Sequence, residues 1–122
     1  MGLRVSNLSP QKADFRRRAI ESCFYFFSKK LAIKPSDIAV TVFRGDKDAP
    51  LDEESIRIWR ELGITDDKIR MGGREENWSG PASETGPCGP TTEIYVDDLK
   101  VWSIAFNEYS KNTDGQYLKQ NL

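Results

Sequence analysis

An α+β fold, with an antiparallel sheet flanked by helices, is predicted by three features of the 122-residue sequence. Apolar side chains recur at every fourth position through Phe15, Ala19, Cys23, Phe27 and Leu31, the spacing of a core-facing helix. The run Ile38-Ala-Val-Thr-Val-Phe43 is short, β-branched and bounded by Gly45-Asp46, as a buried strand is. Two further runs, 92–96 and 101–109, flank Asp97-Asp98 and read as an antiparallel hairpin with Trp102, Ile104 and Phe106 on one face. A chain of this length, 38% hydrophobic and 30% charged, forms one core with a polar surface.

The elements follow in order. Residues 1–10 form a leader in which Leu3, Val5 and Leu8 alternate weakly, compatible with an edge strand or a loose tail. Ser9-Pro10 then reads as an N-cap followed by proline at the first helical position. The helix near 11–31 carries Ile20 and Phe24 beside its main stripe, and Arg16, Arg17 and Arg18 form its most basic spot. Such a cluster reads as the solvated face, with local RNA contact as the alternative. Pro35 marks a turn before the 38–43 strand. Asp52 caps a second helix near 52–62, with Ile56, Trp59 and Leu62 on one face, and Gly63 stops it. Thr65-Asp66-Asp67 supports at most one turn, and residues 69–71 lead as a strand into Gly72-Gly73. From Arg74 to Pro90 no period is visible, and six Gly and Pro residues predict a shaped loop rather than regular structure. Asn112-Thr-Asp-Gly115 is a turn, and Tyr117-Leu118 opens a further apolar stretch.

Composition narrows the chemistry. The chain has no histidine, which excludes Ser-His-Asp triads and His-ligated metals, and its net charge of -1 offers no global attraction to nucleic acid. Cys23 and Cys88 are too far apart for a metal knuckle, and both are expected as free thiols of a cytoplasmic protein with no membrane segment, a Cys23–Cys88 disulfide being the alternative that spacing leaves open. Phosphate-loop, dinucleotide-fold and zinc motifs are missing from the sequence, and no metal ligands are predicted. The 74–90 loop is the natural binding element, because Gly86-Pro87-Cys88-Gly89-Pro90 alternates free and fixed φ and lets backbone approach a small ligand. A rigid corner is the alternative. Trp78 either lines a pocket or anchors this loop. Glu93, near Glu84, Asp97 and Asp98, is placed to meet an ammonium group or a hydrated Mg²⁺, against the plainer reading of solvated hairpin charges.

One string is far more specific. Thr85-Gly-Pro-Cys-Gly-Pro90 followed by Glu93-Ile94 resembles the T-G-P-C-G-P-x-x-E-I signature of alanyl-tRNA synthetases. The similarity extends through Glu76-Asn77-Trp78-x-Gly80-Pro81, Val101-Trp102-x-Ile104-x-Phe106 and Asn112-x-Asp114-Gly115. Upstream it takes in Asp14-Phe15-x-x-x-Ala19-Ile20-Glu21, Val40-Thr41-Val42-Phe43 and Ile58-Trp59-x-x-Leu62-Gly63-Ile64. The resemblance implies a segment of a class II synthetase-like catalytic domain, between the second and third class-defining motifs. It implies ATP and Mg²⁺ as cofactors, and alanine, ATP and tRNA as partners. The family adenylates alanine and passes the alanyl group to tRNA, a reaction of positioning and charge neutralisation that needs no histidine. By resemblance, Trp78, Gly86, Pro87, Cys88, Gly89, Glu93, Trp102 and Ala105 belong to the amino-acid and adenylate pocket.

Three departures bear on activity. The first motif and the arginine of the second are expected before Phe15, and the third motif after Leu122, so 1–122 reads as a single partial domain. Lys100 stands in the family's E-[IV]-W-N strand where an acidic residue is expected, and a lysine cannot chelate a cation. Ala105 replaces the usual valine, and Thr91 a residue that is often Cys or Asp. Two readings follow: an incomplete catalytic segment of an alanine–tRNA ligase-related protein, partnered by the missing remainder of the synthetase, or a non-catalytic synthetase-like module that binds a protein or RNA.

Overall fold

The computed structural model describes residues 12–120, so the leader and the expected helix start at Ser9-Pro10 lie outside the described residues. Helix α1 (Lys12–Tyr25) continues into one wide π-helical turn at Phe26–Lys30. Its buried side is rotated from the expected stripe. Ile20, Cys23, Phe24 and Phe27 face the core, while Phe15 and Leu31, the two ends of the four-residue series, are about half exposed, at 49% and 50%. A strict four-residue spacing drifts around a 3.6-residue helix, so its ends leave the contact face. The rotation also overturns the reading of Arg16 as solvated: it is 6% exposed. Its guanidinium donates to both Glu108 carboxylate oxygens and to Ser55 Oγ, lies 3.4 Å from Asp52 and stacks 4.2 Å over the Phe106 ring. Arg17, by contrast, makes partly exposed pairs with Glu21 and Glu61.

Strand β1 (Ile38–Phe43) forms where the β-branched run predicts it, and its side chains alternate between the two faces of the sheet. Ile38, Val40 and Val42 face the helices, whereas Thr41 faces away. Helix α2 (Glu53–Glu61) starts at Asp52, whose carboxylate accepts from Ser55 N–H at 3.1 Å, and Gly63 ends it at φ +103°. Its Ile56, Ile58 and Trp59 complete the main core with Ile20, Phe24 and Ile94. Trp59 is fully buried, and its indole N–H donates to Thr92 Oγ1 at 2.9 Å, which in turn donates to the Thr41 carbonyl at 2.6 Å.

The sheet is antiparallel with one exception, since β2 (Ile69–Gly72) pairs parallel to β1. The helix between these strands supplies the crossover that parallel pairing requires. Strand β4 (Gly86–Val96) is central. Its C-terminal half lies between β1 and β5 (Leu99–Ala105), and its N-terminal half pairs with β3 (Trp78–Ser79) and β6 (Tyr109–Lys111). Strand β7 (Tyr117–Lys119) pairs with β6 and forms the far edge of this one seven-stranded sheet. The expected strand over 101–109 is therefore two strands, broken where Phe106 N–H turns inward to the Pro90 carbonyl at 2.9 Å. Asp97 and Asp98 both adopt positive φ, the two-residue turn geometry that matches strand twist.

The 74–90 stretch is more regular than its composition suggests. It contains a helical turn, α3 (Arg74–Asn77), then β3, a bend at 80–85, and the first five residues of β4. Glycine and proline concealed these elements because the constraint here is close backbone crossing rather than side-chain periodicity. A Cβ on Gly89 would overlap the Phe106 carbonyl oxygen, so only glycine lets the β5–β6 link pass.

Candidate functional site

Strand alternation sorts the sheet into two faces. One is covered by α1 and α2. The other carries Thr41, Thr91, Glu93, Tyr95, Ser103 and Ala105, by the pairings Thr41↔Glu93, Glu93↔Ser103 and Thr91↔Ala105. Helical turn α3 closes one end of this polar face with Asn77. That fully buried amide donates to Thr41 Oγ1 at 2.8 Å and to the Thr91 carbonyl at 3.0 Å, tying β1 to β4. Toward β5 the face is open: Ser103, Ala105 and Lys100 are exposed.

Glu93 is the buried carboxylate of this face, 6% exposed. Its Oε1 accepts from the Tyr95 hydroxyl at 3.1 Å and its Oε2 from Lys100 Nζ at 3.2 Å. Burial raises the Tyr95 phenol above its ordinary value, the Glu93 carboxylate raises it further, and Lys100 and Arg70 pull the other way. Lys100 arrives by a β-bulge. Ile94 pairs with Trp102 but Tyr95 pairs with Lys100, leaving Val101 as the extra residue, packed against the main core. Without the bulge Val101 would oppose Tyr95, and Lys100 would point to the helix-covered side.

The remaining predicted residues lie elsewhere. Cys88 and Tyr109 are buried with Phe43 and Ala49 in a second cluster, and Trp78 packs against it. The indole of Trp78 lies 5.2 Å from the Phe43 ring, 5.5 Å from Tyr109 and 5.8 Å from Tyr117, centroid to centroid. The Arg74 guanidinium stacks 4.2 Å over it, held by Asp46 at 2.7 Å. This is the packing of an anchor, and it draws β3, β6 and β7 together. The Asp46 carboxyl is somewhat buried, but backbone N–H groups and Arg74 outweigh that and hold it below its usual range. Gly86 and Pro87 pair with Lys111 and Ser110 of β6, and Gly89 with Ser79 of β3. Trp102 pairs with Ile94 and so belongs to the helix-covered side, opposite Glu93. It is 58% exposed and borders a shallow apolar groove of about 370 Å³ with Cys23, Phe26 and Phe27.

The structure thus brings Glu93 and Ala105 onto one face, gathers Trp78 with the 86–89 strand in the adjacent cluster, and separates Trp102 from both. Sequence reasoning did not single out Asn77, Tyr95 or the buried Arg16 network as working groups. Asn77 is part of the quoted motif, but its value depends on partners from β1 and β4 that no local pattern reveals. Glu84, Asp97 and Asp98 are exposed, so the acidic grouping around Glu93 does not form. Among the described residues no three Asp, Glu, Cys or His side chains are placed to hold a metal ion, and both Glu93 oxygens are engaged by other groups. The donor set does not fit Mg²⁺, which takes oxygen ligands in near-octahedral geometry. No helix among the described residues is long and apolar enough to cross a membrane.

Comparison with known proteins agrees with this architecture. Residues 12–120 match the family described as tRNA synthetases class II (A). The chain is 40% identical to the alanine–tRNA ligase of Treponema denticola, over 84% of this chain and 20% of that protein. It is 37% identical to the ligase of Rubrobacter xylanophilus, over 83% and 14% respectively. For the ligase of Borreliella burgdorferi the identity is 32%, over 88% and 21%. The chain therefore spans about a fifth or less of the length of these relatives. A signature-bearing β4, an α+β sheet with one polar face and a match along nearly all its described length place this chain in the class II tRNA synthetase family, as a segment related to alanine–tRNA ligases.

Proposed function

We propose that this chain supplies one wall of an alanine-activating site, in which ATP adenylates alanine before transfer to tRNA, with the other catalytic groups coming from the rest of the ligase's length. The observation that carries this reading is the polar sheet face: buried Glu93 and Asn77 at its base, open toward β5, on the strand that bears the T-G-P-C-G-P-x-x-E-I string. An uncovered face with fixed buried polar groups is suited to orienting a small zwitterion beside an anionic adenylate, and orientation is what this in-line reaction needs. Arg70 and Lys100, which both bear on Tyr95, are the cations available there to an anionic ligand.

The test is alanine-dependent pyrophosphate exchange by the chain alone and by a chimera in which residues 12–120 replace the matching segment of the Treponema denticola ligase. The reading predicts no exchange by the chain alone, and exchange by the chimera. A chimera that folds but cannot exchange overturns it. The pairing of Lys100 with Glu93 favours a second reading, a synthetase-like module that binds protein or RNA without catalysis, and the folded but inactive chimera is its signature.

A further inference from the structure

We infer that the Lys100 ammonium is a built-in substitute for a divalent cation on Glu93, so that this sheet face excludes Mg²⁺ where a class II synthetase-like site implies it. Glu93 is the buried carboxylate of the face, and a metal would have to recruit it. One of its oxygens already receives the ammonium at 3.2 Å and the other the Tyr95 hydroxyl at 3.1 Å. The arrangement depends on the backbone. The bulge between Ile94/Tyr95 and Trp102/Lys100 turns Val101 into the core and Lys100 onto Glu93, a re-aiming that regular pairing does not give.

The surroundings act in the same direction. Thr41 and Ser103, the register partners of Glu93 on either side, offer hydroxyls but no second carboxylate, and Arg70 sits opposite Thr41 on β2. The charged groups beside Glu93 on the neighbouring strands are thus Lys100 and Arg70, both cations. A hard divalent cation entering here must displace an ammonium and then find its remaining oxygen ligands among neutral hydroxyls and water.

Mn²⁺ serves as the probe, its binding to the whole chain followed by water-proton relaxation or electron paramagnetic resonance. This readout is independent of any ligase activity, so its outcome is separable from that of the chimera. The native chain is expected to show no saturable Mn²⁺ site up to millimolar concentration. Lys100→Glu is expected to bind Mn²⁺ at least about tenfold more tightly, because ligand charge sets affinity at such sites, and the added Glu93→Gln change is expected to abolish the gain. A saturable site in the native chain that disappears in Glu93→Gln overturns the inference. So does a Lys100→Glu chain with native far-ultraviolet circular dichroism that binds Mn²⁺ no better than the native one.

Discussion

Lys100 Nζ lies 3.2 Å from Glu93 Oε2, and both side chains reach the same side of the sheet only because Val101 is the extra residue of a bulge. The pair joins an exposed cation to a buried anion, with side-chain exposures of 52% and 8%. It sets the local electrostatics of the polar face on which the proposed function rests. One residue, a lysine where the family resemblance leads to a carboxylate, thus determines what faces the Glu93 carboxylate.

Removing the Thr92 hydroxyl should be costly although Thr92→Val is nearly isosteric. The fully buried Trp59 N–H has Thr92 Oγ1 as its acceptor, so valine leaves a desolvated donor without a partner. The expected loss is about 1–3 kcal/mol of unfolding free energy in urea. A loss below a few tenths would show that the indole finds another acceptor.

Glycine substitutions should separate into two classes. At Gly89 a Cβ would overlap the Phe106 carbonyl, whereas at Gly115 it meets nothing within 4 Å and only the φ of +80° is strained. Gly115→Ala should lower stability by about 1 kcal/mol and leave the chain folded. Gly89→Ala should exceed 3 kcal/mol, since overpacking and backbone displacement combine. Similar melting temperatures for the two variants would contradict the close crossing of β4 and the β5–β6 link.

Arg16→Met should destabilise by about 3–5 kcal/mol, because it strands the Asp52 and Glu108 carboxylates beside a buried methionine. Arg17→Met, at a more exposed and salt-screened set of pairs, should leave stability close to that of the native chain. Urea denaturation of both variants at low and high salt checks the contrast, and equal losses would refute it.

Burial pushes the Cys23 thiol up to about 11 from an ordinary value of 9.0. A raised pKa favours the protonated form in the folded state, so this contribution to stability is complete below pH 9 and is lost as pH rises toward 11. The urea midpoint should fall over that window more steeply for the native chain than for Cys23→Ala. Identical slopes would place the thiol in solvent. Cys88 is raised as well, by its own burial, and both thiols should resist alkylation at pH 8 until the chain unfolds.

Much of the fold was legible because the main core is built from local periodicity. The 38–43 strand, the Asp52-capped helix and its Gly63 stop are where β-branched composition and capping chemistry place them. The signature string also pointed to the right family. What stayed hidden depends on non-local geometry. Arg16 looked solvated because nothing in its own helix shows that Glu108, ninety-two residues later, waits beside it. The 74–90 segment looked irregular because its glycines and prolines answer to a backbone crossing, not to a buried face. The side of the sheet on which Lys100 emerges could not be read at all, since one extra residue in a strand inverts the alternation that such a reading uses.

The most direct test of the account is alanine-dependent pyrophosphate exchange by the Treponema denticola chimera, before and after Glu93→Gln. If the polar face of this chain is a wall of the activation site, exchange should fall by about 100-fold, the scale of losing one well-placed electrostatic group, while the unfolding midpoint stays within the range of the parent chimera. Exchange that is unchanged in a folded Glu93→Gln chimera would contradict the assignment of this face to the reaction.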